Sequence, residues 1–155
     1  MTRNPLPILW RNMVRTASLA LLHKRQLTPE ARLGREGEEA AYWYLRQQGF
    51  IMVSRNYRPE GLRGEIDLIG WDRHTLVFVE VKTRHPSPLL EPETAVDREK
   101  MGNLEAAAQR YRQRARCSSA PYRFDIITVI HSENGFDFHH FRDAFRHAGF
   151  AHSSA

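Results

Sequence analysis

The chain is short of several features that would settle its class at once. One cysteine, Cys117, stands in 155 residues, which excludes an intrachain disulfide framework and a cysteine-built zinc site. It agrees with a reducing, cytoplasmic setting. No apolar run approaches the roughly 20 residues a spanning helix needs; near the N-terminus the uninterrupted stretch is only TASLALL, residues 16–22. Arg11 and Arg15 break the apolar region there, and no clean A-x-A site follows, so the segment does not read as a signal peptide. Eight histidines are present, yet none forms an H-x-x-x-H pair on a convincing helix, and His139 and His140 would point to opposite faces of a strand. Recognisable zinc spacing is therefore missing. There is no internal repeat.

Acid is absent from residues 1–28, which carry Arg3, Arg11, Arg15, Lys24 and Arg25. The net charge of +5 comes wholly from this arm, because the rest of the chain holds 18 basic and 18 acidic residues. A high pI ordinarily points to nucleic acid or an anionic surface. Here that inference applies to the arm, which could dock on the domain, touch nucleic acid, recruit a partner or lack fixed structure. The body has to be read from local charge placement.

The length fits one domain with a core. Three segments are expected: a basic arm at 1–28, a domain at 29–145 and a weakly structured tail at 146–155. Thr28-Pro29-Glu30 predicts a helix start with Thr28 as N-cap and Pro29 in the first turn; the helix should reach about Gln48 and stop at Gly49. Strands are expected at 50–57, 65–70 and 75–83, the last two joined by a short connection at 71–74. Three prolines make 84–92 a loop. A second helix should run from Glu93 to about Arg116, followed by strands at 122–131 and 135–141. This order predicts an α/β layer domain with a mixed central sheet.

What is present, and out of place, is charge within apolar strands. Leu76 to Val79 is apolar on both faces, the mark of a central strand covered on both sides, and Glu80 and Lys82 follow directly. Alternation puts Leu76, Phe78, Glu80 and Lys82 on one face; Glu65, Asp67 and Ile69 should share a face of the preceding strand. If Arg73 and His74 form the hairpin turn, Asp72 pairs with Thr75, Asp67 falls opposite Glu80 and Glu65 opposite Lys82. Two directly opposed carboxylates, with Cβ atoms about 5 Å apart, repel unless a cation lies between them. An all-oxygen site favours Mg²⁺ or Mn²⁺ over zinc. The competing reading, edge-strand charges that block aggregation, fits poorly with a strand apolar on both faces.

The helices add further charge. Glu38 lies on a small, apolar face with Gly34, Ala41, Tyr42 and Leu45, while Glu39 points about 100° away toward Trp43 and Arg46. Lys100 interrupts the apolar stripe Val96, Leu104, Ala107, Ala108, Tyr111, and could snorkel to solvent or reach a phosphate. Arg110, Arg112, Arg114 and Arg116 fan around the end of the same helix. Arg55, Arg58, Arg63 and Arg84 flank the strand motifs and are candidate phosphate contacts.

Together, GREGEEAAYWYLRQQGF (34–50), RNYR (55–58), GEIDLI (64–69), LVFVEVKTR (76–84) and FDIITV (124–129) resemble the YraN-like family within the PD-(D/E)xK, restriction-endonuclease-like superfamily, similar to Holliday-junction resolvases. The resemblance spans about residues 31–130. It implies a three-layer α/β/α core of order α-β-β-β-α-β and a metal-dependent nuclease, with Asp67, Glu80 and Glu38 at metal-ligand positions, Lys82 at the catalytic lysine and Glu65 at an accessory position. Mg²⁺ or Mn²⁺ is the implied cofactor and nucleic acid the implied partner, with DNA favoured and branched or single-stranded forms included. Resolvase relatives act as dimers, which makes a homodimer the corresponding expectation. The alternative is a non-catalytic nucleic-acid-binding module that retains the fold. Two departures stand out: the loop at 85–92, HPSPLLEP, lacks the glycine relatives commonly carry, and the arm has no counterpart in the core motif.

Overall fold

The computed structural model describes residues 27–86 and 98–145. The arm up to residue 26, most of the proline-rich loop, the predicted helix start at Glu93 and the tail lie outside the described residues.

Helix α1 (Pro29–Gln47) begins as its sequence requires: the Thr28 hydroxyl accepts from the Ala31 N–H at 3.2 Å and Pro29 occupies the first turn. It ends before Gly49, whose φ of 89° lets the chain reverse without strain. Three strands follow: β1 (Ile51–Tyr57), β2 (Ile66–Asp72) and β3 (Thr75–Arg84). Helix α2 (Arg98–Arg114) crosses over to β4 (Tyr122–Ser132), and β5 (Gly135–Phe145) closes the order. The last strand runs four residues past its expected end, carried round an irregularity at Asp143, whose φ is 50°.

The strands lie in the order β1-β2-β3-β4-β5. Only β3 and β4 are parallel, joined through α2, so the sheet is mixed as expected. β3 is central, and its apolar residues divide between two cores. Val77 and Val79 pack with Leu68, Ile127 and Val129 against Ala40, Ala41 and Leu45 of α1. Leu76 and Phe78 pack with Ile66, Ile69 and Phe124 against Leu104, Ala107 and Ala108 of α2. Helices on both faces make the three-layer α/β/α arrangement. Each fully buried Phe, Leu or Val contributes about 1.5–3 kcal/mol relative to exposure, so the two faces anchor β3 from both sides. Among the described residues no helix is long and apolar enough to cross a membrane.

One feature of β2 departs from simple alternation. Ile66 and Ile69 belong to the α2-side core while Leu68 belongs to the α1 side. The strand therefore changes face around Asp67. β1 does the same: Arg55 reaches Glu39 and Tyr42 of α1, whereas Tyr57 packs on Tyr111 of α2. Between them Asn56 has a φ of 49°, a left-handed conformation that asparagine tolerates better than most residues. Glu65, Asp67 and Ile69 thus do not form the single face that alternation predicts.

Candidate active site

The register of the β2–β3 hairpin fits the sequence-based count. Asp72 pairs with Thr75, and the ladder continues to Leu68 opposite Val79. The next residues outward are Asp67 and Glu80. β2 starts at Ile66, so the expected ladder pair of Glu65 with Lys82 is not part of the sheet; Glu65 is ion-paired with Arg58 at 2.5 Å.

Asp67 does not stand square to Glu80. Its Oδ2 accepts the Val81 N–H at 2.7 Å, which ties the carboxylate to β3 between Glu80 and Lys82. Burial first, then the charge of Glu80, push the Asp67 carboxyl up to about 7; Glu38 and Glu65 add to the effect, while the Val81 hydrogen bond opposes it. Glu80 is nearly buried, 8% exposed. Its Oε1 is ion-paired with Lys100 Nζ of α2. That pair shows that Glu80 faces α2, as its alternation with Leu76 and Phe78 requires, and Lys82 shares that face by the same alternation.

Glu38 arrives from the other layer. Burial and the charge of Glu65 raise its carboxyl above the usual range, against Arg55, Arg35 and a hydrogen bond from the Asn56 side chain. The buried stripe of α1 is Gly37, Ala40, Ala41 and Leu45, which leaves Glu38 half-buried on its flank. Gly37 explains how α1 comes close: a Cβ there would lie 1.8 Å from Thr83 Oγ1, next to Lys82 on β3. Gly37 and Asn56 were not singled out in the sequence. The glycine beside a candidate carboxylate within a helix was the available signal for the first; the second had none beyond asparagine's left-handed tolerance.

The flanking arginines are spread out. Arg55 is ion-paired with Glu39 and lies over the Tyr42 ring; Arg58 is held by Glu65. Arg63 and Arg84 are exposed. Lys100, expected to seek solvent or phosphate, instead neutralises Glu80. On β4, Thr128 stands beside Lys82 in the parallel register. Its hydroxyl is buried and has no hydrogen-bond partner among the described residues.

Among the described residues no three His, Cys, Asp or Glu side chains form a ready-made metal cage. The donor chemistry nevertheless fits a hard divalent ion. Mg²⁺ is commonly held by one or two carboxylates, with water and substrate phosphate completing its shell. Asp67 and Glu80 supply two, and their mutual repulsion is what a cation would relieve.

A sequence profile described as uncharacterised protein family UPF0102 matches residues 37–129. That span contains Glu38, Asp67, Glu80, Lys82 and Lys100. A UPF0102 protein of Solibacter usitatus is 49% identical over 107 residues, covering 69% of this chain and 80% of the relative. One from Parabacteroides distasonis is 42% identical over 113 residues, covering 73% and 91%.

Proposed function

The chain belongs to the UPF0102, YraN-like family, and we propose that it is a nuclease, using Mg²⁺ or Mn²⁺ to hydrolyse phosphodiester bonds of nucleic acid. The observation that carries the reading is the pair Asp67 and Glu80, two carboxylates crowded at the end of a buried hairpin, with Lys82 next on the same face as Glu80. Isolated buried charges are costly. Lys100 offsets Glu80 and, among the described residues, only a backbone N–H meets Asp67, so the pair keeps a site for further positive charge, which a metal-dependent phosphodiesterase uses.

Asp67 and Glu80 hold the ion, with Glu38 an outer carboxylate. When bound, the ion supplies positive charge against the scissile phosphate and makes a bound water more acidic. Asp67 keeps one oxygen on the Val81 N–H, so its orientation is set before substrate arrives. Lys82 orients or deprotonates the attacking water, or offsets charge developing on the phosphate. In this reading Arg63 and Arg84, both exposed, contact backbone phosphate, and Arg55 and Arg58 join them by exchanging their glutamate partners. Binding should accordingly weaken as salt rises. DNA is the proposed substrate, branched and single-stranded forms included, and the proposed setting is the cytoplasm. A second copy of the chain and the arm at 1–28 are the proposed protein-level contacts.

The test is cleavage of branched, nicked, single-stranded and duplex DNA, and of RNA, by pure protein with Mg²⁺ or Mn²⁺. Activity lost in Asp67→Ala, Glu80→Ala and Lys82→Ala is the expected result. Cleavage that persists in those variants overturns the assignment, and binding without any cleavage points to the non-catalytic module.

A further inference from the structure

Lys100 is not part of the strand motif, yet its ammonium is ion-paired with Glu80. The two partners differ in freedom: the Glu80 side chain is 9% exposed and the Lys100 side chain 49%. The carboxylate is therefore fixed by its strand, and the lysine can leave. A cleft of about 200 Å³ lies alongside, lined by Gly64, Glu65, Glu99, Lys100, Asn103 and Leu104. The cleft gives the ammonium open space beside the ion pair to move into.

We infer that Lys100 is a resident counter-cation for Glu80, which neutralises that carboxylate in the metal-free protein and exchanges with the divalent ion. This rests on the nuclease reading of the same site and adds a role for a helix residue outside the strand motif. The exchange lowers apparent metal affinity, because each ion bound must displace an ammonium. It also makes the lysine available to the cleft when the metal arrives.

The chain has only three lysines, Lys24, Lys82 and Lys100, so lysine-selective ¹³Cε labelling gives three assignable side-chain signals. Full-length protein without nucleic acid is titrated at pH 8, with Mn²⁺ followed by electron paramagnetic resonance and Mg²⁺ by NMR. Lys100→Gln should bind Mn²⁺ roughly three- to fivefold more tightly than wild type, the upper scale of a half-exposed ion pair. Lys100→Arg, which keeps the charge, should stay within about twofold. The Lys100 signal, identified by its absence in Lys100→Arg, should shift with Mg²⁺ along the same saturation curve. Unchanged or weaker Mn²⁺ binding in Lys100→Gln overturns the exchange role. If binding is still abolished by Glu80→Gln, the metal site itself stands. If neither wild type nor Lys100→Gln binds Mn²⁺, the exchange and the metal-dependent reading fall together.

Discussion

The Val81 backbone N–H donates to the Asp67 carboxylate across 2.7 Å. One side chain of β2 is thereby fastened to the residue that separates Glu80 from Lys82 on β3. The bond forms where both β1 and β2 change face, so Asp67 is held at the point where the two layers of candidate residues meet. Glu38 approaches from α1, and Glu80 with Lys100 from the α2 side. A backbone donor fixes where the carboxylate sits but does not neutralise it, and burial beside Glu80 pushes its carboxyl up to about 7. Carboxyls shifted this far gather at functional sites more often than elsewhere.

That shift has a sign in stability. The folded carboxyl is pushed up to about 7 from an ordinary 3.8, so between those values the native state binds more protons than the unfolded chain. The contribution favours folding below the unfolded value and is lost as pH rises through about 7, amounting to up to about 4 kcal/mol. Asp67→Asn removes the charge and retains an oxygen for the Val81 N–H. Its melting temperature should exceed that of wild type at pH 8 by several degrees, and the gap should narrow toward pH 5. Equal melting temperatures at pH 8 would show that the carboxylate is not strained by its surroundings.

A bound cation should reverse the same penalty. Under the proposed function, Mg²⁺ at ten times its dissociation constant stabilises wild type by about 1.4 kcal/mol and has little effect on Asp67→Asn or Glu80→Gln. Chelator should return wild type to its starting melting temperature. Thermal melts with and without Mg²⁺ at pH 8 are sufficient, and identical gains in all three proteins would place any metal elsewhere.

Much of this was legible in the chain. Thr28-Pro29 and Gly49 bounded the first helix, the doubly apolar run at 76–79 marked the central strand, and Arg73-His74 fixed the register, aided by the φ of 55° at Arg73 that suits a tight hairpin. The face change at Asn56 and Asp67 was not legible, because alternation assumes an unbroken pleat; in β1 the left-handed Asn56 cancels it, and β2, its pairing partner, changes face alongside. Nor was the partner of Lys100: an interrupted apolar stripe says that a charge is present, while its choice among solvent, phosphate and Glu80 depends on how α2 lies over the sheet. The flanking arginines were located as exposed residues, but Arg55 is held by Glu39 of the helix, and Glu65, read as a strand residue opposite Lys82, lies just before β2 and holds Arg58 instead.

Gly37 sets how near α1 lies to β3. A Cβ added there would stand 1.8 Å from Thr83 Oγ1 and 2.8 Å from both Thr83 Cβ and Cγ2. Alanine would gain about 1 kcal/mol in helix propensity, yet contacts this short oblige the helix or strand to move. Gly37→Ala should cost about 1–3 kcal/mol net and displace Glu38 with the helix. Thr83→Ala removes the hydroxyl and methyl but not the Cβ, so the double variant should recover part of the loss. A double-mutant cycle by urea unfolding measures the coupling, and additive losses would mean that the two residues do not meet.

The second buried carboxylate, Asp125, makes a different kind of site. It is fully buried on β4 and accepts from Arg123 Nε at 2.9 Å and from the Asp143 N–H at 2.9 Å, with His140 Nε2 at 2.8 Å. Burial on its own would raise its carboxyl; the His140 and Arg123 hydrogen bonds, the Asp143 N–H and the Arg123 charge outweigh it and hold the group below the usual range. Every partner belongs to β4 or β5, and the His140 ring lies beside Tyr44 and Phe50 on the α1 side, opposite the face shared by Glu80 and Lys82. The network is therefore expected to act on stability. Its contribution is complete above the ordinary aspartate range and is lost as pH falls through the lowered folded value. Asp125→Ala leaves the Asp143 N–H and His140 without their acceptor and Arg123 with Asp72 alone, and should cost about 1–3 kcal/mol; Asp125→Asn should cost less and weaken the acid dependence of unfolding. Urea unfolding at pH 7 and pH 4 separates these effects. Asp125→Asn should also bind Mn²⁺ as wild type does, and a loss of binding without a loss of stability would move this carboxylate into the metal site.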